Sequence, residues 1–331
     1  MESVEKAVQA VREQLPGMKL LENEPMSRHS SFRIGGPARA LAFPSDVTGM
    51  TKLCAILKEH GVAPYMLGNG TNILFPDEGL QDLFLVSTER LQKIFLLPDG
   101  AVYAEAGVSL ARLAAFAQEN GLGGLEFAGG IPGTVGGGCI MNAGAYGGEL
   151  KDVVESVVFL YVPDQGLYEI ANADCGFGYR QSVFQKKAGC VLLSAVFRLT
   201  PDDRQAISER MQELGEKRRE KQPLDLPSAG SAFRRPEGHF AARLIEDAGM
   251  KGYAVGDAQV SEKHAGFVVN RGNACSHDVY DLMMHVRNEV YRQSGVFLEP
   301  EIIILPPEYH LEDKSPKLKG NVVFPTAHAA E

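Results

Sequence analysis

The chain has 331 residues, 44% hydrophobic and 23% charged, and Lys+Arg 33 against Asp+Glu 42 give a formal net charge of −9. That length sets an expectation of two or three domains, and that composition excludes a disordered chain. A basic surface for nucleic acid or a membrane is excluded overall, although a local cationic pocket is compatible with the charge.

The opening residues Met1-Glu2-Ser3-Val4-Glu5 are acidic and lack the basic and apolar regions of a signal peptide. No stretch approaches the ~18 uninterrupted apolar residues of a membrane span. Val4, Ala7, Val8, Val11 and Leu15 recur at helical spacing, and Pro16-Gly17 ends that helix. A polar stretch to Ser31 leads into Phe32-Arg33-Ile34-Gly35-Gly36-Pro37 and apolar Ala40-Leu41-Ala42-Phe43. Ser45 and Asp46 are candidate caps for an amphipathic run through Leu53, Ile56 and Leu57. Residues 62–67 read as a strand ending at Gly68-Asn69-Gly70-Thr71-Asn72, followed by Ile73-Leu74-Phe75. This is a β-α-β opening with a polar glycine turn where a phosphate could sit.

A strand near 101–106 and a helix over 109–120 precede a second glycine segment at 129–138. Residues 153–162 and 190–199 read as strands, and 204–221 as a charged helix with an apolar stripe at Ile207, Met211 and Leu214. Pro223, Pro227 and Gly230 mark a domain boundary. Helices are expected over 240–248 and 277–294, the second with Val279, Leu282, Met283, Val286 and Val290 on one face. Strands are expected over 255–260, 266–270 and 301–305, and from Pro306 the chain reads as a tail without periodicity. The class is α+β in three lobes.

The five cysteines (Cys54, Cys139, Cys175, Cys190, Cys275) are an odd count with no C-x-x-C pair. That argues against a disulfide framework or structural zinc, and no metal is expected. Reduced thiols suit a cytoplasmic location. Cys139, set in glycines, is the one to check for reactivity, and it reads first as a small residue where room is short.

Neither G-x-G-x-x-G after a strand nor G-x-x-x-x-G-K-[ST] occurs, which argues against a Rossmann domain and a P-loop. Two glycine-polar loops remain, at 68–72 and 129–138. Glycine permits positive φ and close backbone approach, and successive N–H groups can cradle anionic oxygens. Together, with Asn69, Thr71, Asn72, Thr134 and Asn142 as polar side chains, the loops could wrap a pyrophosphate without net positive charge. A Cβ at Gly70 or Gly133 is expected to fill the space that group needs.

Several segments resemble the UDP-N-acetylenolpyruvoylglucosamine reductase family. They are His29-Ser30-Ser31-Phe32-Arg33-Ile34-Gly35-Gly36-Pro37-Ala38, Leu67-Gly68-Asn69-Gly70-Thr71-Asn72 and Gly130-Ile131-Pro132-Gly133-Thr134-Val135-Gly136-Gly137. Asn142-Ala143-Gly144-Ala145-Tyr146-Gly147, Phe177-Gly178-Tyr179-Arg180, Gly230-Ser231-Ala232-Phe233, Val260-Ser261-Glu262-Lys263-His264-Ala265 and Leu298-Glu299-Pro300-Glu301 continue the likeness in order. It spans about residues 25 to 305. The short stretch after Arg180 resembles the shorter of the family's two types, which lacks the inserted tyrosine loop.

The resemblance implies an α+β chain with a two-lobed FAD-binding domain of the vanillyl-alcohol-oxidase and p-cresol-methylhydroxylase type, followed by a C-terminal α+β substrate-binding domain. The expected limits are 1–88 and 89–222 for the FAD lobes, 223–306 for the substrate domain and 307–331 for the tail. It implies non-covalent FAD, NADPH as co-substrate, and reduction of UDP-N-acetylglucosamine enolpyruvate to UDP-N-acetylmuramate for peptidoglycan. No nucleic acid, membrane or obligate protein partner is implied. Arg180, Ser231 and Glu301 would be catalytic: Ser231 the proton donor to carbon, Arg180 the fork on the carboxylate, Glu301 a protonated or water-bridged neighbour. Arg33, Gly68, Asn69, Gly70, Thr71, Asn72, Gly130, Gly133, Thr134, Gly136, Gly137, Asn142 and Ala145 would bind the cofactor. Tyr179, Lys221, Arg235, Lys251 and His264 would hold the substrate. Two rivals share the fold: a flavin oxidase, with His29 placed for a covalent link, and a non-catalytic nucleotide-sugar binder.

Overall fold

The structure, a computed structural model, describes residues 2–186 and 189–305, so the expected tail lies outside the described residues. Helix Glu2–Gln14 buries Val4, Ala7, Val8 and Val11 against Ala40, Ala42, Met50, Leu53 and Leu57. Beneath it lies a four-stranded sheet in the order Lys19–Pro25, Pro37–Phe43, Leu80–Ser87, Pro64–Leu67. Its first pair is antiparallel, from Lys19 opposite Phe43 to Pro25 opposite Pro37, and the other pairs are parallel. Lys19–Pro25 falls within the stretch that reads as polar. Its partner supplies the ladder, which outweighs a sequence with no clean alternation. The central strand carries Phe84, Leu85 and Val86 with no exposure, as parallel strands covered on both faces do.

Helix Val47–Glu59 starts at Asp46, whose Oδ1 accepts from the Gly49 N–H at 2.7 Å. That bond holds the Asp46 carboxyl below its ordinary pKa, against a smaller opposing effect of burial. A folded-state pKa below the unfolded one stabilises above the unfolded value and is lost as pH falls through the folded one. Asp46→Ala should therefore cost about 1 kcal/mol near neutrality. The difference from wild type should shrink below about pH 4, as thermal melts across pH would show.

The second lobe is a five-stranded antiparallel sheet, ordered Gly166–Ala171, Val154–Tyr161, Cys190–Phe197, Val102–Glu105, Ile94–Leu96. Helix Leu110–Glu119 packs on it, capped where Ser109 Oγ accepts from Arg112 N–H at 3.1 Å. Helix Arg204–Lys221 matches its expected span, but of the expected stripe Ile207 alone is buried. The second glycine segment is not one loop. It is a 3-10 turn at Glu126–Gly130, an extended link, and a short helix Val135–Met141 that contains Gly136, Gly137 and Gly138.

The third lobe pairs Ser228–Ser231, Phe267–Asn270, Ala258–Val260 and Ala254–Val255 in that order, all antiparallel. The expected single strand over 255–260 is thus a hairpin folded at Gly256, whose φ is +53°. Helices Ala241–Asp247 and Ser276–Ser294 close a core that also takes in Phe32, Ile34 and Leu74 from the first lobe. The final strand, Ile303–Ile304, returns to pair in parallel with Ile73–Leu74. Among the described residues, Asp77, Cys275 and His277 bring potential ligand atoms within 4.8 Å. Asp77 Oδ2 there accepts from both Ser276 N–H, at 2.6 Å, and its hydroxyl, at 2.7 Å, so the cluster acts as a helix cap.

Candidate functional site

The two glycine segments meet face to face: a Cβ on Gly68 would lie 2.8 Å from Thr134 Oγ1. Thr134 is buried and caps the short helix by accepting from Gly137 N–H at 3.3 Å. Gly70, with φ +59°, is glycine for a reason internal to the fold, because a Cβ would overlap the His29 carbonyl oxygen. The Cβ expected to fill the space of a pyrophosphate at Gly70 would thus meet the protein's own backbone first. Gly136 is likewise pressed against Ala106, at 3.0 Å. Gly133 and Gly137 differ. A Cβ on Gly133 meets nothing closer than Leu110 at 3.6 Å, and one on Gly137 nothing closer than Thr134 Oγ1 at 3.5 Å. Their own packing does not require bareness, and their backbones stay open for close approach. With Asn69 and Arg33 exposed beside this surface, the residues fit a cofactor pyrophosphate.

Gly133→Val should therefore fold with stability within about 1 kcal/mol of wild type yet purify without flavin colour. Gly70→Val should lose the loop itself. Absorption spectra with melting curves test the pair, and a yellow Gly133→Val would remove that position from the cradle.

Asn142 is fully buried, with φ +43°, and its side chain is committed within the protein. Its amide donates to Glu149 Oε2 at 2.8 Å and to the Gly178 carbonyl at 2.9 Å, while its oxygen accepts from Lys151 N–H at 2.9 Å. This corrects the reading of Asn142 as a side-chain ligand: it braces the turn that carries Tyr179 and Arg180. Ala145 lies in the two-residue strand Gly144–Ala145 on the same scaffold.

Arg180 sits in that turn at φ +52°. Its Nε donates to Glu301 Oε1 at 2.6 Å and its Nη2 to the Gly144 carbonyl at 3.1 Å. The two side chains are 20% and 12% exposed, so this is a sheltered pair that mutual contact must hold in place. The neighbour that the resemblance implies as protonated or water-bridged is here in direct contact with the Arg180 guanidinium. Glu301 N–H donates to the Ala232 carbonyl at 2.9 Å, which seats Glu301 against the residue after Ser231. Ser231 ends its strand opposite Phe267, so the fold gives it a strand position rather than a helix cap.

Tyr179 is 40% exposed, its hydroxyl accepts from Arg235 N–H at 3.1 Å, and its ring has the Arg180 and Arg235 guanidinium groups at 5.2 and 5.4 Å. His264 is half-buried beside Phe267, and its Nδ1 accepts from Gly266 N–H at 3.1 Å. Burial pushes this imidazole below its ordinary pKa; Glu246 opposes that, and Lys251 and Lys221 add to it. The neutral ring therefore carries its proton on Nε2, a donor. Lys251 pairs with Glu246 at 2.9 Å. Lys221 and Lys251 thus each act electrostatically on His264.

Burial, with a smaller contribution from Cys175, raises the Cys139 thiol far above its ordinary range, so it is no nucleophile. His29 Nε2 lies 3.1 Å from Glu24 Oε1, with its ring against Phe43. No helix among the described residues is long and apolar enough to cross a membrane.

Residues 38–167 match the FAD binding domain family, and residues 222–305 match the family described as UDP-N-acetylenolpyruvoylglucosamine reductase, C-terminal domain. The chain is 48% identical over 306 residues to the UDP-N-acetylenolpyruvoylglucosamine reductase of Agathobacter rectalis, covering 89% of this chain and 96% of that one. It is 45% identical over 298 residues to that of Caldanaerobacter subterraneus subsp. tengcongensis, covering 90% and 97%. Among solved structures, the UDP-N-acetylenolpyruvylglucosamine reductase of Thermus caldophilus matches with a TM-score of 0.74 at 31% identity, over 87% of this chain and 99% of that one.

Proposed function

The chain belongs to the UDP-N-acetylenolpyruvoylglucosamine reductase family, and from that membership we propose how its own residues divide the work. It is a flavin-dependent oxidoreductase that reduces UDP-N-acetylglucosamine enolpyruvate to UDP-N-acetylmuramate with NADPH, a step of peptidoglycan precursor synthesis. FAD, when bound, would supply the electron transfer from NADPH to the methylene carbon of the substrate.

The observation that carries the assignment of roles is the Arg180–Glu301 pair at 2.6 Å, seated beside the Ser231 strand. As electrons arrive, negative charge grows on the neighbouring carbon and its carboxylate. Arg180 keeps Nη1 outside its bonds to Glu301 and Gly144, and its charge stabilises that anion. Glu301 fixes the guanidinium plane. Ser231 delivers the proton to carbon, with the adjacent ion pair polarising its hydroxyl. Tyr179 and Arg235 border the enolpyruvyl group. Lys221, Lys251 and the Nε2 proton of His264 receive the diphosphate.

FAD is held by residues 68–71, by Gly130, Gly133, Thr134, Gly136 and Gly137, and by Arg33 and Ala145. The lobes divide at 1–88, 89–222 and 223–306. Cys54, Cys139, Cys175 and Cys275 are free thiols, which suits a reducing compartment, and the proposed location is the cytoplasm.

One cleft serves both substrates in turn. NADPH consumption should yield one lactyl ether per NADPH, identified by mass, and excess enolpyruvyl substrate should slow the bleaching of flavin by NADPH. Bleaching indifferent to that substrate would require a separate nicotinamide site.

A further inference from the structure

Asn72 is the last residue of the first glycine loop, yet its side chain turns to another lobe. Its Nδ2 donates to the Glu301 carbonyl at 3.1 Å, and its own carbonyl accepts from Ile303 N–H at 3.0 Å. Beyond it, Ile73 and Leu74 pair with Ile303 and Ile304, and Leu305 N–H donates to the Leu74 carbonyl at 3.1 Å. Glu301 is thus tied three ways. Its N–H reaches Ala232, its carbonyl takes Asn72, and its carboxylate takes Arg180. A peptide whose carbonyl is fixed by a side-chain amide has little freedom to rotate, so the direction of the Glu301 side chain depends on that bond.

We propose that Asn72 is a positioning residue for Glu301, a strut that hangs the catalytic peptide on the flavin loop so that order in the loop sets the place of the Arg180–Glu301 pair. This rests on the reading of Glu301 as a member of the catalytic trio. Asn72 acts through Glu301 and touches neither reacting carbon nor proton. Loop and catalytic pair move as one body, and loosening the strut leaves electron entry from NADPH intact while misplacing the groups that meet the substrate.

Asn72→Asp keeps the shape and removes the donor; Asn72→Ala removes both. Each is made in the full chain and examined with flavin bound. In Asn72→Asp, NADPH should bleach the flavin within about threefold of the wild-type rate, while recovery of colour on adding enolpyruvyl substrate should slow ~10–100-fold, the penalty of a reacting group displaced by about 1 Å. Amide exchange across 301–303 should quicken with the Ser276–Ser294 helix unchanged, a readout independent of turnover. Added to Glu301→Ala, Asn72→Asp should slow recovery no further, because both changes act on one group.

Normal recovery and normal exchange in both variants would overturn the strut. So would equal slowing of bleaching and recovery, or loss of flavin from both, which would place Asn72 on the cofactor alone. Multiplicative effects in the double variant would overturn it too. If Glu301→Ala leaves recovery unchanged, the catalytic trio fails instead, and amide exchange still decides whether Asn72 holds the segment.

Discussion

Ser231→Ala should separate the two halves of turnover. The substitution keeps the strand that pairs with Phe267, including its irregularity at Gly230, whose φ is +78°. The fold loses one hydroxyl at a half-buried position, so stability should change by no more than about 1 kcal/mol. NADPH should still bleach the flavin at a near-normal rate, since no carbon is protonated in that half. Recovery of colour on adding the enolpyruvyl substrate should slow ~10²–10⁴-fold, as removal of a positioned general acid does. Anaerobic rapid mixing of each half alone measures both. Equal slowing of the halves would point to a displaced flavin, and an unslowed second half would remove Ser231 from the mechanism.

Arg180→Lys should be nearly as damaging, although it preserves charge. One ammonium cannot donate to Glu301 and the Gly144 carbonyl while presenting a further planar donor to a substrate carboxylate. It would also leave the Glu301 carboxylate, 12% exposed, with a poorer partner. The expected loss is ~10²–10³-fold in kcat, the scale for removal of a donor aimed at developing charge. Substrate dissociation constants should change less than kcat. An effect confined to KM would make Arg180 a docking residue only.

The core helices were legible because their periodicity is decided locally. The apolar spacing of 4–15 and 277–294 needs no partner to be recognised, and both spans form as read, within a residue or two. The strands Lys19–Pro25 and Ser228–Ser231 were not legible, since each exists through a partner distant in sequence. The glycines misled in an instructive way. Composition presents 129–138 as one glycine-polar loop, but Thr134 caps a helix there, and a Cβ on Gly136 would crowd Ala106. Asn142 and Asn72 lie in polar motifs beside glycine, so both read as cofactor ligands. Their partners, Gly178 and Glu301, lie 36 and 229 positions away, beyond what local spacing encodes. The motif resemblance singled out Arg180 and Glu301, which the fold brings together at 2.6 Å, whereas their residue types alone would have left them as a surface ion pair and a rim carboxylate.

An anaerobic single turnover tests the central claim most directly. One equivalent of NADPH should bleach the yellow protein, and one equivalent of UDP-N-acetylglucosamine enolpyruvate should restore the colour without oxygen, with one lactyl ether formed per flavin by mass spectrometry. A bleached protein that recovers only on admitting air, with the enolpyruvyl ether unchanged, would contradict the account.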